Sequence, residues 1–130
     1  MKIIFLEGDS NTGKTTALND LFNQLKPYAE GQIESKQLGA DPLDRVAVIP
    51  LKGKLIGICS LGDYKVLIFV YLGYLLAKGC STVILANSLF SIPQYLITEL
   101  GGVEEVVEKK AATDEDNKRV VKILKEKLLK

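Results

Sequence analysis

The chain has 130 residues, of which 47% are hydrophobic and 25% are charged, and its formal net charge is +1. This length and composition indicate one domain over residues 1–130, and the near-neutral charge gives no indication of a nucleic-acid-binding or membrane-binding surface. The chain contains no histidine, which excludes the most usual general base and the commonest zinc ligand.

The first predicted elements are a strand, a glycine-containing loop and a helix. Lys2 to Glu7 is a short apolar run typical of a buried strand, and Thr15 to Lys26 has apolar residues at helical spacing. Between them, Gly8 to Thr15 read G-x-x-x-x-G-K-T, the sequence of a phosphate-binding loop. Because the first strand begins at the second residue, we expect no signal peptide and a cytoplasmic location.

Each position of this loop has a role in binding a nucleoside triphosphate. Gly8 permits a sharp turn after the strand, and Gly13 permits close approach of the backbone to a phosphate. The loop amides and the helix dipole favour an anion. We expect Lys14 to contact the β- and γ-phosphates as a catalytic cation, and Thr15 to bind Mg²⁺. The predicted nucleotide-binding residues are Gly8, Asp9, Ser10, Asn11, Thr12, Gly13, Lys14, Thr15 and Thr16.

A long polar segment follows the first helix, which Pro27 is expected to end. Residues 28–43 show no clear period, so we predict an exposed loop. The loop is either a functional lid, with Lys36 as a mobile cation, or an ordinary surface loop.

Two apolar strand candidates come next, Arg45 to Pro50 and Lys54 to Ser60. The Lys52-Gly53 step between them predicts a hairpin. Asp63 follows the second strand, and we predict it as a catalytic carboxylate that holds Mg²⁺, or alternatively as the N-cap of the next helix. Two weaker carboxylate candidates lie at the phosphate loop: Glu7 and Asp9.

The second half of the chain alternates helices and strands. The predicted elements are a helix from Tyr64 to Lys78, a strand from Ser81 to Ala86, a helix from Ile92 to Leu100, an edge strand from Val103 to Lys109 and a helix from Thr113 to Lys130. The helix 64–78 is apolar almost all round, which predicts burial on both sides, one of them against a second copy or a partner protein. Its apolar run is shorter than the roughly 20 residues that span a bilayer. Thr113 and Asp116 have the form of a capping box.

Strands that alternate with helices predict an α/β fold, a three-layer α/β/α P-loop sandwich with a mainly parallel central sheet. Right-handed crossovers place the phosphate loop at the carboxyl edge of that sheet. Asn87 and Ser88 follow a strand at the same edge, as contacts to a base or acceptor or as ordinary loop caps. We expect Arg45 at the opposite edge and Arg119 on a surface helix, so neither arginine is placed for catalysis.

The segment Phe5 to Thr16 resembles the Walker A region of P-loop NTPases. The Glu-Gly pair at the start of the loop and Gly-Lys-Thr-Thr at its end are similar to the same positions in thymidylate and deoxynucleoside kinases. Gly62-Asp63 resembles a dipeptide that follows a strand in small, uncharacterised bacterial P-loop proteins. The resemblance implies a nucleotide-binding core. The chain differs from those kinases because it has no arginine-rich lid. Its Asp44-Arg45 pair precedes a strand, whereas the Asp-Arg pair of those kinases follows one.

Three functions are compatible with these residues. The first is binding of ATP and Mg²⁺ with slow hydrolysis. The second is a minimal kinase for a nucleoside, nucleotide or other small acceptor. The third is a non-catalytic protein that a nucleotide switches between two states and that acts on a partner. No guanine-specific N-K-x-D sequence is present, which favours adenine.

Overall fold

The structure, a computed structural model, describes residues 2–8, 12–37, 44–60, 65–87 and 103–129. Its strands are β1 (Lys2–Glu7), β2 (Glu34–Gln37), β3 (Arg45–Leu51), β4 (Lys54–Cys59), β5 (Thr82–Asn87) and β6 (Val103–Glu108). Its helices are α1 (Lys14–Leu25), α2 (Lys65–Ala77) and α3 (Asp114–Leu129), and a 3₁₀ turn at Lys26–Tyr28 follows α1. The predicted helix from Ile92 to Leu100 lies outside the described residues.

The strands form one six-stranded sheet in the order β2-β3-β4-β5-β1-β6. β4, β5, β1 and β6 are parallel to one another, whereas β3 is antiparallel to both β2 and β4. The predicted α/β class is confirmed, and the sheet is mixed. The predicted β3–β4 hairpin is also confirmed, with φ angles of 50° at Lys52 and 76° at Gly53, as a tight hairpin turn requires.

The strand β2 corrects the prediction of a loop over residues 28–43. Its four residues are all exposed, and it pairs with β3 through the backbone, with Gln37 opposite Arg45. An edge strand held by main-chain hydrogen bonds needs no apolar face, so the polar sequence Glu-Ser-Lys-Gln shows no alternation that would indicate a strand.

Alternation along the strands gives the sheet two apolar faces, each covered by helices. On one face, β-strand side chains that include Ile4 and Ile58 form a core with α1 and α3. On the other face, a second core that includes Phe5 and Val83 packs against α2. α1 therefore lies directly on the sheet, and its first turn is held at the end of β1.

Over residues 70–77, where its side chains are described, α2 is buried on one side and exposed on the other. Leu72 and Leu75 pack on the sheet, whereas Val70 is 57% and Tyr74 39% exposed. Burial of the outer side by a second copy or a partner stays a prediction. Among the described helices, none is long and apolar enough to cross a membrane.

Replacement by alanine should change the stability of the fold in opposite directions at two glycines. One lies in β4 at its contact with α2, and the other lies within α2. A Cβ on Gly57 would lie 2.9 Å from Leu75 Cδ2 and 3.2 Å from Cys80 Sγ, whereas nothing lies within 4 Å of one on Gly73. We expect Gly57→Ala to lower the free energy of unfolding by about 1–3 kcal/mol through overpacking. Gly73→Ala, within α2, should raise it by about 0.4–1 kcal/mol. Urea denaturation of both variants measures the two effects, and equal signs would contradict the packing of α2 on β4.

Candidate functional site

β1, the loop after it and α1 form a strand–loop–helix unit. β1 ends at Glu7, and α1 begins at Lys14 with Gly13 as its N-cap. The first turn of α1 contains no acidic residue, and no side chain hydrogen-bonds to its cap among the described residues. The positive end of the helix dipole is therefore not neutralised by its own helix. The predicted binding residues at positions 9–11, which are Asp9, Ser10 and Asn11, lie outside the described residues.

The two glycines of the loop serve different structural needs. A Cβ on Gly8 would lie 2.5 Å from the Lys109 carbonyl oxygen and 2.7 Å from Thr12 Oγ1. Both distances are too short for a side chain at this position. Gly13 has a φ of 82°, the left-handed region that costs other residues about 1–2 kcal/mol. The close approach within the chain therefore lies at Gly8, and the sharp backbone turn lies at Gly13.

Lys14 is buried, with 6% of its surface exposed. Its ammonium group donates a hydrogen bond of 2.8 Å to the Gly8 carbonyl oxygen, so the side chain folds back across the loop. Burying an ammonium is unfavourable unless it is paired. Lys14 has partners within the chain, the Gly8 carbonyl among them, and its positive charge is held away from solvent. Thr16, two residues further along the same helix, is exposed.

Thr15 connects the start of α1 to the end of β4. Its hydroxyl donates to the Ser60 carbonyl oxygen at 3.3 Å, and Ser60 is 1% exposed. A hydroxyl that donates its hydrogen keeps its oxygen lone pairs, and oxygen is the ligand that Mg²⁺ takes. Thr15 thus fits the predicted metal role. Asp63 lies outside the described residues, within which no group of three or more Asp, Glu, His or Cys is arranged to hold a metal ion.

The segment between β6 and α3, residues 109–113, packs against the loop, and we call it the wall of the loop. This contact was not predicted from the sequence. The Lys109 amide donates to the Glu7 carbonyl at 2.7 Å, and a Cβ on Gly13 would lie 3.4 Å from Ala112 Cα. Lys109 itself is 1% exposed. A signal was present: Lys109 lies two residues after Val107, which is buried in the core, so period-2 alternation puts both on the same face.

Asp116 holds this wall in place. Its carboxylate accepts hydrogen bonds from the Lys109 ammonium at 2.9 Å and from the amides of Lys110 and Ala111. Burial alone would raise the pKa of Asp116, but these hydrogen bonds and two from Arg119 hold that pKa well below its usual range. The capping box is formed in half: the Asp116 amide donates to Thr113 Oγ1, while the carboxylate is bound to the wall residues instead.

Arg45 lies at the phosphate-loop edge, and the prediction of the opposite edge is wrong. β3 runs antiparallel to β4, so its first residue meets the end of β4, where the Arg45 amide donates to Ser60 Oγ at 2.9 Å. Its guanidinium group nevertheless packs over the Phe22 ring, 4.8 Å from the ring centroid. Phe22 is two helical turns beyond Thr15, about 10 Å along α1. The Arg45 backbone therefore lies at the candidate site, whereas its guanidinium group is directed away from the site.

Arg119 lies on α3, as predicted, but at the end nearest the loop. Its guanidinium binds Asp116 at 2.8 Å and donates to the Glu108 carbonyl. Both arginines thus have partners other than a phosphate. This arrangement leaves Lys14 as the cation that the described residues place at the loop.

The remaining candidates lie around the same edge. Asn87 ends β5 beside Glu7, as the predicted parallel strands require, and Ser88 is outside the described residues. Lys36 is exposed on β2, one residue from the pair formed by Gln37 and Arg45. A scan of protein-family models finds none that matches this chain, and searches of curated proteins and of solved structures return no significant match.

Proposed function

We propose that this chain binds ATP and Mg²⁺ through the loop from Gly8 to Thr16 and hydrolyses the nucleotide slowly. The observation that carries the proposal is Lys14, a buried ammonium bonded to Gly8 at the loop between the interior parallel strand β1 and a helix whose N-terminus no described side chain caps. A buried positive charge beside a helix N-terminus favours a phosphate group. The fold we propose is the three-layer α/β/α P-loop sandwich, extended by the antiparallel strands β2 and β3.

The strand order supports a site at this loop. β1 lies between β5 and β6, so the ends of three parallel strands surround the position where a phosphate would bind. In open α/β sheets, ligands bind at the carboxyl ends of strands where the strand order reverses. Thr15 would supply one Mg²⁺ ligand, and we propose Asp63 as the carboxylate that completes the shell. The metal would neutralise phosphate charge.

Slow hydrolysis follows from the two arginines. An arginine that stabilises the transferring phosphoryl group contributes about 10³–10⁵ in rate. Arg45 packs over Phe22, and Arg119 is bound to Asp116. A chain with both groups engaged elsewhere binds a nucleotide more effectively than it cleaves one.

A minimal kinase is the second candidate, favoured by the position of Arg45. Its guanidinium has one hydrogen bond, 3.1 Å to Ser35 Oγ, and its Nε is buried without a partner among the described residues. Rotation of this side chain would bring a positive charge toward the loop. Incubation with labelled ATP and a panel of nucleosides and nucleotides separates the two candidates, since a kinase gives a labelled acceptor and an ATPase gives only free phosphate.

A thermal-shift screen tests the leading proposal. Each of the four common ribonucleoside triphosphates is added with Mg²⁺ or with EDTA, and phosphate release is then measured for the best binder. A ligand at 100 times its Kd stabilises the folded state by about 2.7 kcal/mol, on the order of 10 °C in Tm for a domain of this size. Absence of a shift with every Mg-nucleotide would contradict the proposal. The cytoplasmic location and a homodimer through residues 64–78 stay predictions.

A further inference from the structure

We propose that Ser60 is a positioning residue for the Mg²⁺ ligand Thr15, an inference that rests on the proposed nucleotide function. The residues that carry it are Thr15, Ser60 and Arg45, which come from α1, the end of β4 and the start of β3. Ser60 is one of three buried polar or charged residues among those described, and the other two, Lys14 and Lys109, also contact the loop.

Ser60 is held by both its backbone and its side chain. Its amide donates to the Arg45 carbonyl at 3.0 Å, and its hydroxyl accepts from the Arg45 amide at 2.9 Å and donates to the Arg45 carbonyl at 3.3 Å. These bonds close the open end of the β3–β4 hairpin. The carbonyl of Ser60 is therefore fixed in direction by the sheet, independently of α1.

The fixed carbonyl sets the orientation of the Thr15 hydroxyl. Thr15 Oγ1 donates its single hydrogen to Ser60, so its lone pairs are directed elsewhere. A hydroxyl that serves as a cation ligand must present a lone pair, and a partner that accepts its hydrogen enforces this. Outer partners of this kind orient metal ligands, and their loss typically lowers metal affinity about 10–100-fold.

The role proposed for Ser60 therefore concerns the metal and not the phosphates. Lys14 donates to the Gly8 carbonyl, and we expect Lys14 and the loop backbone to bind the triphosphate without the Ser60 hydroxyl. Removing the Ser60 hydroxyl should weaken the effect of Mg²⁺ on nucleotide affinity while leaving affinity in EDTA nearly unchanged. A purely structural role would change both affinities together through the amount of folded protein.

The test measures the Kd for ATP by calorimetry, with saturating Mg²⁺ and with EDTA, in the wild-type protein and in Ser60→Ala, Thr15→Val and the double variant. The Mg²⁺ ratio is the Kd in EDTA divided by the Kd in saturating Mg²⁺. We expect Ser60→Ala to reduce this ratio about tenfold, the lower end of the range for such partners, because the Ser60 backbone carbonyl remains. Thr15→Val should remove the Mg²⁺ dependence that Thr15 supplies, and the double variant should resemble Thr15→Val, since Ser60 acts through Thr15.

Two further variants keep the test decisive. Ile56→Val lies at the other end of β4 and is buried, so it lowers stability without touching the site and should leave the Mg²⁺ ratio unchanged. Ser60→Cys preserves volume with a weaker hydrogen-bonding group and replaces Ser60→Ala if that protein does not fold. A wild-type Mg²⁺ ratio in a folded Ser60→Ala or Ser60→Cys protein overturns the role of Ser60. Wild-type protein that binds no ATP in either buffer overturns the nucleotide function itself.

Discussion

Replacement of Lys14 by methionine is expected to abolish the stabilisation that we propose Mg-ATP gives to the folded protein. Methionine retains most of the buried aliphatic volume and removes the ammonium that donates to Gly8. At a nucleotide concentration 100 times the wild-type Kd, the stabilisation of about 2.7 kcal/mol should fall to nearly zero. The measurement is the difference in Tm, or in urea midpoint, with and without Mg-ATP.

The apo protein distinguishes this loss of binding from loss of folding. Lys14 is 6% exposed, so removing its charge removes the need to bury an ammonium and also removes the hydrogen bond to the Gly8 carbonyl. The two effects oppose each other, and we expect the apo variant to stay within about 1 kcal/mol of wild type. Lys122→Met, at an exposed position of α3, is the matched control and should retain the full shift. A Lys14→Met protein that is stabilised as much as Lys122→Met excludes phosphate binding at this loop.

Asp116→Asn is expected to give the largest loss of stability in the absence of ligand. The variant leaves the Lys109 ammonium, whose side chain is 0% exposed, without its charged partner. Breaking a buried ion pair from one side costs about 3–5 kcal/mol. Because the Asp116 side chain retains 11% exposure, we expect a value near the lower end, about 3 kcal/mol, measured by urea denaturation at pH 7.

The matched control is Glu105→Gln, which removes a carboxylate that also binds two cations. Glu105 contacts Lys2 and Lys127, both at 2.9 Å, with side chains about one-third exposed. Exposed pairs contribute about 0–1 kcal/mol, so this variant should lose less than about 1 kcal/mol. Equal effects of Asp116→Asn and Glu105→Gln would show that the wall beside the loop does not depend on a buried charge.

The effect of Asp116 should depend on pH in a defined direction. The pKa of its carboxyl is lower in the folded state than the ordinary value of 3.8, so the charged form stabilises the fold. That contribution is fully present above the unfolded-state pKa and is lost as the pH falls below about 4 toward the folded-state value. The stability difference between wild type and Asp116→Asn should therefore stay constant from pH 7 to about 5 and shrink at lower pH. A difference that grows on acidification contradicts the assignment.

Most of the fold could be predicted from local patterns in the sequence. The apolar run of β1, the helical spacing of α1 and the Lys52-Gly53 turn each depend on residues close together in the chain. β2 was missed because a polar edge strand is held by its backbone. Arg45 was assigned to the wrong edge because its position depends on the antiparallel direction of β3 relative to the rest of the sheet.

The sequence names the consecutive residues of the candidate site directly, whereas it does not indicate the contacts that distant segments make with the loop. The motif indicates Lys14 and Thr15, since their roles follow from spacing within the loop. Ser60 and Lys109 come from distant segments, and no spacing rule connects either of them to Gly8. Their contribution depends on sheet register, because β4, β1 and β6 must end together before the backbone groups of Ser60 and Lys109 contact the loop.

The position of β1 between two strands that follow it in the chain also has a consequence for synthesis on the ribosome. β1 pairs with β5 on one side and with β6 on the other. A nascent chain that has not yet produced β6 would present β1 as an open edge, with unpaired amide and carbonyl groups that can pair with another chain. It would also lack the Lys109 wall against Gly8. β1 is therefore made well before the strand β6 that completes its pairing, and a chain that stops between the two should be prone to aggregation through this edge.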